Sequence, residues 1–246
     1  MSDYIPCGKN GCRNGWVINE VTNLSTRCQC KKDYDASMFL FNHGIPRDYI
    51  DKTLDNFIPR HEMERAHVAG FKEYVSEFAT KSLFNGRGLY IFSRIKRTGK
   101  THCAVGIARA ILEKNYDKNN PVNWVYFVNV SELFEMLWDK VSMEKGGSLD
   151  GNIELRRIRE VLAKIKNCKL LILDDLGVTR KTDFVTNTLY TIIEYRMANN
   201  KPIVATSNCT LGEIHKAYGE DGERIAKRLN EKVKVKEFYG AQGERR

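Results

Sequence analysis

The stretch GLYIFSRIKRTGKT, residues 88–101, decides the fold. Its apolar start predicts a buried strand, the residues that follow Lys100 have the apolar spacing of a helix, and a basic turn joins the two. A strand that turns directly into a helix lets backbone N–H groups and the helix N-terminus surround phosphate oxygens. Gly99 would let the main chain approach a phosphate, Lys100 would reach the β and γ oxygens, and the Thr101 hydroxyl would ligate Mg²⁺. The predicted nucleotide contacts in this stretch are Thr98, Gly99, Lys100, Thr101 and His102.

Two arginines interrupt this loop. Arg94 and Arg97 stand where phosphate-binding loops commonly have glycine. A non-glycine residue held in the left-handed conformation costs roughly 1–2 kcal/mol, which a well-held loop can absorb. The loop by itself is also compatible with a basic, solvated turn that binds no nucleotide.

Two further apolar strands end in polar residues of the kind that a nucleotide site needs. KLLILDDLG (169–177) carries Asp174 and Asp175, and PIVATSN (202–208) ends at Asn208. Because the carboxyl ends of parallel strands meet at one edge of a sheet, these side chains should lie beside the loop. Asp174 would hold the Mg²⁺ shell, Asp175 would polarise the attacking water, and Asn208 would sense the γ-phosphate.

The chain alternates short apolar runs with amphipathic stretches from about residue 60 onwards. This alternation predicts an α/β domain with a mostly parallel sheet covered by helices on both faces. Ser131 is a plausible N-cap for the helix that follows the strand at 124–130. We divide the chain into a cysteine-rich module (1–35), a linker (36–59) and the α/β domain (60–246).

Composition favours a polyanionic partner. The chain has 40 Lys and Arg against 31 Asp and Glu, a formal net charge of +9, which favours nucleic acid as a partner. No long apolar run reaches the length of a membrane span, and the N-terminus lacks the pattern of a secretory signal. We therefore expect a cytoplasmic protein that does not contact a membrane.

Four of the seven cysteines crowd into the first thirty residues. Cys7, Cys12, Cys28 and Cys30 have the spacing C-x4-C, fifteen residues, then C-x-C, which favours a tetrahedral structural Zn²⁺ site. Metal would stabilise a segment too short to build its own core. Free thiols, or His43 as a substitute ligand, remain open.

The motifs together resemble the AAA+ ATPases of the DnaC/DnaI-type replicative helicase loaders and the IstB-type transposition helpers. The resemblance rests on residues 88–111, LILDDLG, ATSN and ERIAKRL. It implies an AAA+ P-loop NTPase fold, with Arg228, or alternatively Arg224, as the arginine finger presented to a neighbouring subunit. It further implies self-association through the ATP sites, a replicative DNA helicase as partner, and single-stranded DNA as ligand.

The resemblance implies an ATP-dependent loader of the replicative helicase. Arg94 replaces a loop glycine, and Asp175 stands where many AAA+ proteins have the longer Glu, so we expect slow, partner-dependent ATP hydrolysis. Three alternatives remain: an ATPase helper of a transposase, a non-hydrolysing adaptor that binds zinc and nucleic acid, and a small-molecule P-loop kinase.

Overall fold

The computed structural model describes residues 7–8, 11–19, 22, 24–115, 123–143, 149–177 and 183–239. The chain divides into two compact units, Met1–Ile50 and Asp51–Arg246. The predicted boundaries at 35/36 and 59/60 stay a prediction. The first unit holds a small antiparallel sheet of β1 (Cys12–Arg13), β2 (Trp16–Ile18) and β3 (Ser25–Arg27), followed by helix α1 (Gln29–Asn42) and a 3₁₀ turn at Arg47–Tyr49.

The second unit begins with helices and then alternates strands with helices. Its helices are α2 (Glu62–Glu77), which continues through a π turn at Phe78–Ser82, α3 (Leu83–Asn85), α4 (Lys100–Asn115), α5 (Val130–Met143), α6 (Leu149–Asn167), α7 (Asp183–Ala198) and α8 (Leu211–Lys232). Its strands are β4 (Gly88–Phe92), β5 (Val125–Asn129), β6 (Leu170–Leu176), β7 (Ile203–Ser207) and β8 (Val233–Glu237).

These five strands form one parallel sheet in the order β5-β6-β7-β4-β8. The chain leaves β4, crosses to β5, returns through β6 and β7, and then passes β4 to form β8 at the other edge. Because such crossovers are right-handed, α4 lies on one face and α5 to α8 lie on the other. Side chains alternate accordingly: Leu171 and Leu173 join the core formed with α5 to α8, whereas Ile172 does not. The predicted parallel sheet is thus present.

The cap of α5 differs from the prediction. The helix begins at Val130, and the Asn129 side chain accepts a hydrogen bond from the Ser131 N–H at 2.9 Å. Asn129 is therefore the capping residue, and the assignment of the cap to Ser131 is wrong. Asparagine and serine are equally good N-caps, so residue type does not distinguish Asn129 from Ser131. The helix begins at Val130 because strand β5 ends at Asn129.

Arg196 stabilises the edge of the sheet where the strands begin. It is fully buried on α7, and its guanidinium donates to the carbonyl oxygens of Ile165 (2.7 Å), Cys168 (3.1 Å), Lys169 (3.2 Å) and Pro202 (2.9 Å). A buried cation is tolerated where its N–H groups find acceptors. This side chain therefore joins the end of α6 to the starts of β6 and β7.

None of the helices in the described ranges is both long enough and apolar enough to cross a membrane.

Candidate functional site

The loop between β4 and α4 brings the predicted lysine to the ends of two other strands. Lys100 Nζ donates to the Ile95 carbonyl at 3.3 Å and to Asn208 Oδ1 at 2.9 Å. Burial lowers the pKa of Lys100, and the nearby Asp175 and Asp174 carboxylates act in the opposite direction. The ammonium group therefore lies at the carboxyl edge of the sheet, where a phosphate would meet it.

Gly99 and His102 fix the loop against the segment that precedes α2. Gly99 has a φ of +92°, and a Cβ added there would come within 2.3 Å of the Phe57 ring. The His102 ring contacts the Thr53 carbonyl at 2.9 Å and Asn56 Oδ1 at 3.0 Å. His102 thus faces this segment, and its predicted contact with the nucleotide stays a prediction.

The two acids of β6 lie on a β-bulge. Leu173 pairs with Ala205 and Leu176 pairs with Ser207, so Asp174 and Asp175 together face one residue of β7. Asp175 has a φ of +62°, a left-handed conformation in which aspartate is better tolerated than most side chains. The bulge therefore lets two consecutive carboxylates reach the same edge of the sheet.

Asp174 and Thr101, the two residues predicted to bind Mg²⁺, contact each other. The Thr101 hydroxyl donates to Asp174 Oδ1 at 2.9 Å. Asp174 is buried, and desolvation raises the pKa of its carboxyl even though hydrogen bonds from Thr206 and Thr101 act to lower it. Hard oxygen ligands of this kind suit Mg²⁺, and a cation would offset the cost of a buried carboxylate.

Asn208 connects the lysine to the second acid. Its Nδ2 donates to Asp175 Oδ1 at 3.0 Å, while its Oδ1 accepts from Lys100. One amide therefore contacts the group predicted to bind the γ-phosphate and the group predicted to polarise water. A phosphate that takes Lys100 as its partner would break the hydrogen bond between Lys100 Nζ and Asn208 Oδ1.

Sequence reasoning missed Thr206. This fully buried hydroxyl donates to Asp174 Oδ1 at 2.6 Å and accepts from the Asp175 N–H at 2.9 Å. The signal was present, because a hydroxyl in the middle of a buried strand needs a hydrogen-bond partner.

The two loop arginines differ from each other. Arg97 has a φ of +59°, as expected for a residue in a glycine position. Arg94 is absent from the described residues with positive φ, so the expectation of left-handed strain there is wrong. Its guanidinium instead forms an ion pair at 2.9 Å with Glu213, which is part of the capping box of α8.

Arg224 and Arg228 both lie on α8, beyond a kink at Gly219. Arg228 Nε lies 2.6 Å from Glu194 on α7, and Arg224 pairs with Asp221 at 3.4 Å and lies over the Tyr190 ring. Neither arginine contacts the Lys100 loop in the described part of the chain, and the assignment of an arginine finger to Arg228 or Arg224 stays a prediction.

The four N-terminal cysteines form a separate cluster. Their sulfur atoms all lie within 4.8 Å of one another, and Cys7–Cys28 and Cys12–Cys30 are each 3.7 Å apart. Tetrahedral Zn²⁺ with Zn–S bonds of about 2.3 Å places sulfurs about 3.8 Å apart. The donor set and its spacing therefore fit zinc. His43 Nδ1 donates to the Phe39 carbonyl oxygen at 2.8 Å, and His43 does not belong to the cluster.

Comparison with known proteins agrees with this geometry. The model of the family described as IstB-like ATP binding protein matches residues 73–235. A curated relative, the replicative helicase loader DnaI of Bacillus subtilis (strain 168), is 26% identical over 173 residues, which cover 68% of this chain and 48% of the relative. The chain thus spans about half the length of that protein.

Two solved structures share the fold. The DnaC helicase loader superposes with a TM-score of 0.60 at 23% identity, over 79% of this chain and 100% of that one. A DnaI structure superposes with a TM-score of 0.61 at 22% identity, over 79% of this chain and 95% of that one. The chain therefore belongs to the IstB-like ATP binding protein family and has the AAA+ P-loop NTPase fold predicted from its sequence.

Proposed function

We propose that this protein is an ATP-dependent loader of a replicative DNA helicase, which binds ATP with Mg²⁺ and single-stranded DNA. One observation carries the nucleotide part: Lys100, Asn208 and Asp175 form a continuous hydrogen-bonded chain beside the Thr101–Asp174 pair. The similarity to a helicase loader supports the choice of partner.

In the proposed reaction, Lys100 binds the β and γ oxygens of ATP. Thr101 and Asp174 would hold Mg²⁺, which would neutralise charge on the phosphates. Asp175 orients the attacking water, and Asn208 reports the presence of the γ-phosphate. Arg228, or Arg224, stabilises the developing charge from a neighbouring subunit, so hydrolysis depends on assembly. Turnover is slow in the isolated chain because that arginine is then absent from the site.

A matched pair of loop variants tests nucleotide binding. Lys100→Ala should abolish ATP binding and hydrolysis, whereas Lys96→Ala, at an exposed position of the same loop, should keep both near wild type. Equal behaviour of the wild type and Lys100→Ala would overturn the ATPase proposal in favour of a non-hydrolysing adaptor.

Substitution of each arginine tests the proposed arginine finger separately from ATP binding. Arg228→Ala should leave ATP affinity unchanged and lower steady-state hydrolysis at least tenfold, and light scattering should show ATP-dependent oligomers of the wild type. If only Arg224→Ala lowers hydrolysis, the finger is Arg224. A fully active monomer would contradict both assignments and favour a kinase-like enzyme.

The family match also supports a second candidate, an ATPase helper of a transposase. Pull-downs with a replicative helicase and with a transposase, each with and without ATP, separate the two functions. ATP-dependent retention of the helicase, lost in Lys100→Ala, is the expected result. Retention of the transposase alone would select the second candidate.

We also propose that Cys7, Cys12, Cys28 and Cys30 hold one structural Zn²⁺, which keeps the N-terminal unit folded for contact with the helicase. The fit of the sulfur spacing supports this assignment.

A further inference from the structure

We propose that the edge of the large sheet where its strands begin binds the phosphate backbone of single-stranded DNA. This inference rests on the proposed function, which includes single-stranded DNA, and assigns that ligand to a surface. The surface consists of Arg87, Lys169, Lys201, Lys232 and Lys234, and we call it the amino edge. It lies at the opposite edge of the sheet from Lys100 and Asp174, because all five strands run in the same direction.

A cation precedes the start of each of four adjacent strands. Lys169 directly precedes β6, Lys201 comes two residues before β7, Arg87 directly precedes β4, and Lys232 directly precedes β8. The pairing of Leu171 with Ile203 places Lys169 level with Lys201, and the pairing of Gly88 with Val233 places Arg87 level with Lys232. Neighbouring strands lie about 4.8 Å apart. The pairing of Leu89 with Val204 places Arg87 one residue beyond the level of Lys201, so the backbone positions form a row with a one-residue step between β7 and β4.

Two of these lysines donate hydrogen bonds to uncharged acceptors, which do not neutralise the positive charge of the lysines. Lys201 Nζ donates to the Lys166 carbonyl at 2.8 Å. Lys232 Nζ donates to the Asn85 carbonyl at 3.3 Å and to Asn200 Oδ1 at 3.2 Å. No described carboxylate forms an ion pair with a cation of the amino edge; the nearby acids Glu194 and Glu231 pair with Arg228 instead.

An open recess gives part of the amino edge a concave shape. It has a volume of about 510 Å³, and its lining includes three cations, Arg87, Lys232 and Lys234, against one acid, Glu231. The carboxylate of Glu231 lies 3.4 Å from Arg228. A surface with this charge balance attracts phosphates.

An aromatic ring lies beside the row of cations. Tyr195 is 38% exposed, with Lys201 Nζ 5.3 Å and Lys166 Nζ 5.7 Å from its ring centroid. Surfaces that bind single strands combine a positive track for the backbone with aromatic rings on which bases stack. An acidic protein partner is less favoured, because Val233 is the one apolar residue in the recess lining, whereas protein interfaces depend on apolar and aromatic anchors.

The test compares two triple variants that remove the same charge. One carries Arg87→Gln, Lys201→Gln and Lys232→Gln at the amino edge. The control carries Arg65→Gln, Lys72→Gln and Lys114→Gln on α2 and α4. The probe is fluorescein-labelled (dT)20, and its anisotropy is measured with the full chain and ATP over a range of salt concentrations.

The edge variant should bind (dT)20 at least tenfold more weakly than the control, and the slope of log K against log salt should fall by about two units, since each phosphate contact on a single strand contributes about 0.7. Both variants should keep wild-type ATP affinity. Should the edge variant fail to fold, Arg87→Glu with Lys234→Glu, two exposed positions, should give the same loss.

Three outcomes would overturn the inference. Equal affinity of the two triples for (dT)20 would remove the amino edge as the DNA surface and leave the loader proposal standing on its helicase and ATPase tests. Displacement of the probe by polyglutamate of equal charge would indicate an acidic protein ligand. Failure of the wild type to bind (dT)20 would remove single-stranded DNA from the proposed function as well.

Discussion

Thr206 on β7 donates its hydroxyl hydrogen to Asp174 Oδ1 at 2.6 Å, across the bulge in β6. The hydroxyl oxygen of Thr206 in turn accepts a hydrogen bond from the N–H of Asp175, which lies in the left-handed conformation. Thr206 therefore lies opposite the bulge and contacts both acidic residues, the side chain of Asp174 and the backbone of Asp175. It is a positioning residue for the proposed reaction.

Thr206→Val should retain the shape of the core and remove this contact. Loss of a buried hydrogen bond to a carboxylate costs about 1–3 kcal/mol, so we expect the Mg²⁺ concentration for half-maximal hydrolysis to rise about tenfold while nucleotide affinity without metal stays unchanged. Thr206→Ser, which keeps the hydroxyl, should restore the wild-type Mg²⁺ dependence. If valine leaves that dependence unaltered, the hydroxyl has no part in metal binding.

Asp174 should lower stability at neutral pH in the absence of Mg²⁺. Burial raises the pKa of this carboxyl above 3.8 in the folded state. The folded state then binds more protons than the unfolded state, so stability falls as pH rises from the unfolded pKa through the folded one. Asp174→Asn should raise the free energy of unfolding at pH 7, and the gain should shrink as pH approaches 4.

Urea unfolding of metal-free protein across this pH range measures the effect, with Asp55→Asn, at an exposed position, as the control. A gain that is constant with pH would mean that the ionisation of Asp174 is not its cause. Mg²⁺ with nucleotide should stabilise the wild type and not Asp174→Asn.

Arg97→Gly should stabilise the protein. The φ of +59° at Arg97 destabilises the folded state by roughly 1–2 kcal/mol for any residue that has a Cβ. Glycine removes this cost, but it also increases the conformational entropy of the unfolded chain, which offsets part of the gain. A net gain of about 1 kcal/mol in denaturant unfolding is expected, and Arg97→Ala, which keeps the Cβ, should show little of it. Equal gains for glycine and alanine would trace the effect to the charge of the arginine.

The cysteine cluster should bind one Zn²⁺ per chain. Metal analysis of Cys12→Ser should show loss of the ion, whereas Cys209→Ser, outside the cluster, should retain it. A chelator should render residues 1–50 sensitive to protease, because structural zinc contributes on the order of 10 kcal/mol to small domains. Wild-type protein without zinc and with a protease-resistant N-terminal unit would contradict the assignment.

Much of the fold and of the site could be predicted because the signals are local. Lys100 and Thr101 begin the helix after an apolar strand. Asp174 lies near the end of β6 and Asn208 directly follows β7, so strand direction alone brings these residues together. The role of Thr206 could not be predicted in this way. It depends on a register shift between two strands about thirty residues apart, which no short stretch of sequence encodes.

The conformation and the partner of Arg94 could not be predicted from the sequence either. The sequence marks it as a departure from glycine, but its backbone carries no left-handed strain, and its partner Glu213 lies more than a hundred residues away. Whether a substituted position is strained depends on the conformation that the folded chain imposes there, and the ion pair becomes visible only once α8 is placed.

The contacts of Arg196 should make one part of the sheet open as a unit. Because its guanidinium holds carbonyl oxygens at the end of α6 and before β6 and β7, none of these three junctions can separate without exposing a buried cation. Native-state hydrogen exchange should accordingly show the amides of Cys168, Leu170 and Leu171 exchanging with one common opening free energy. Arg196→Met should divide that block into segments that exchange independently.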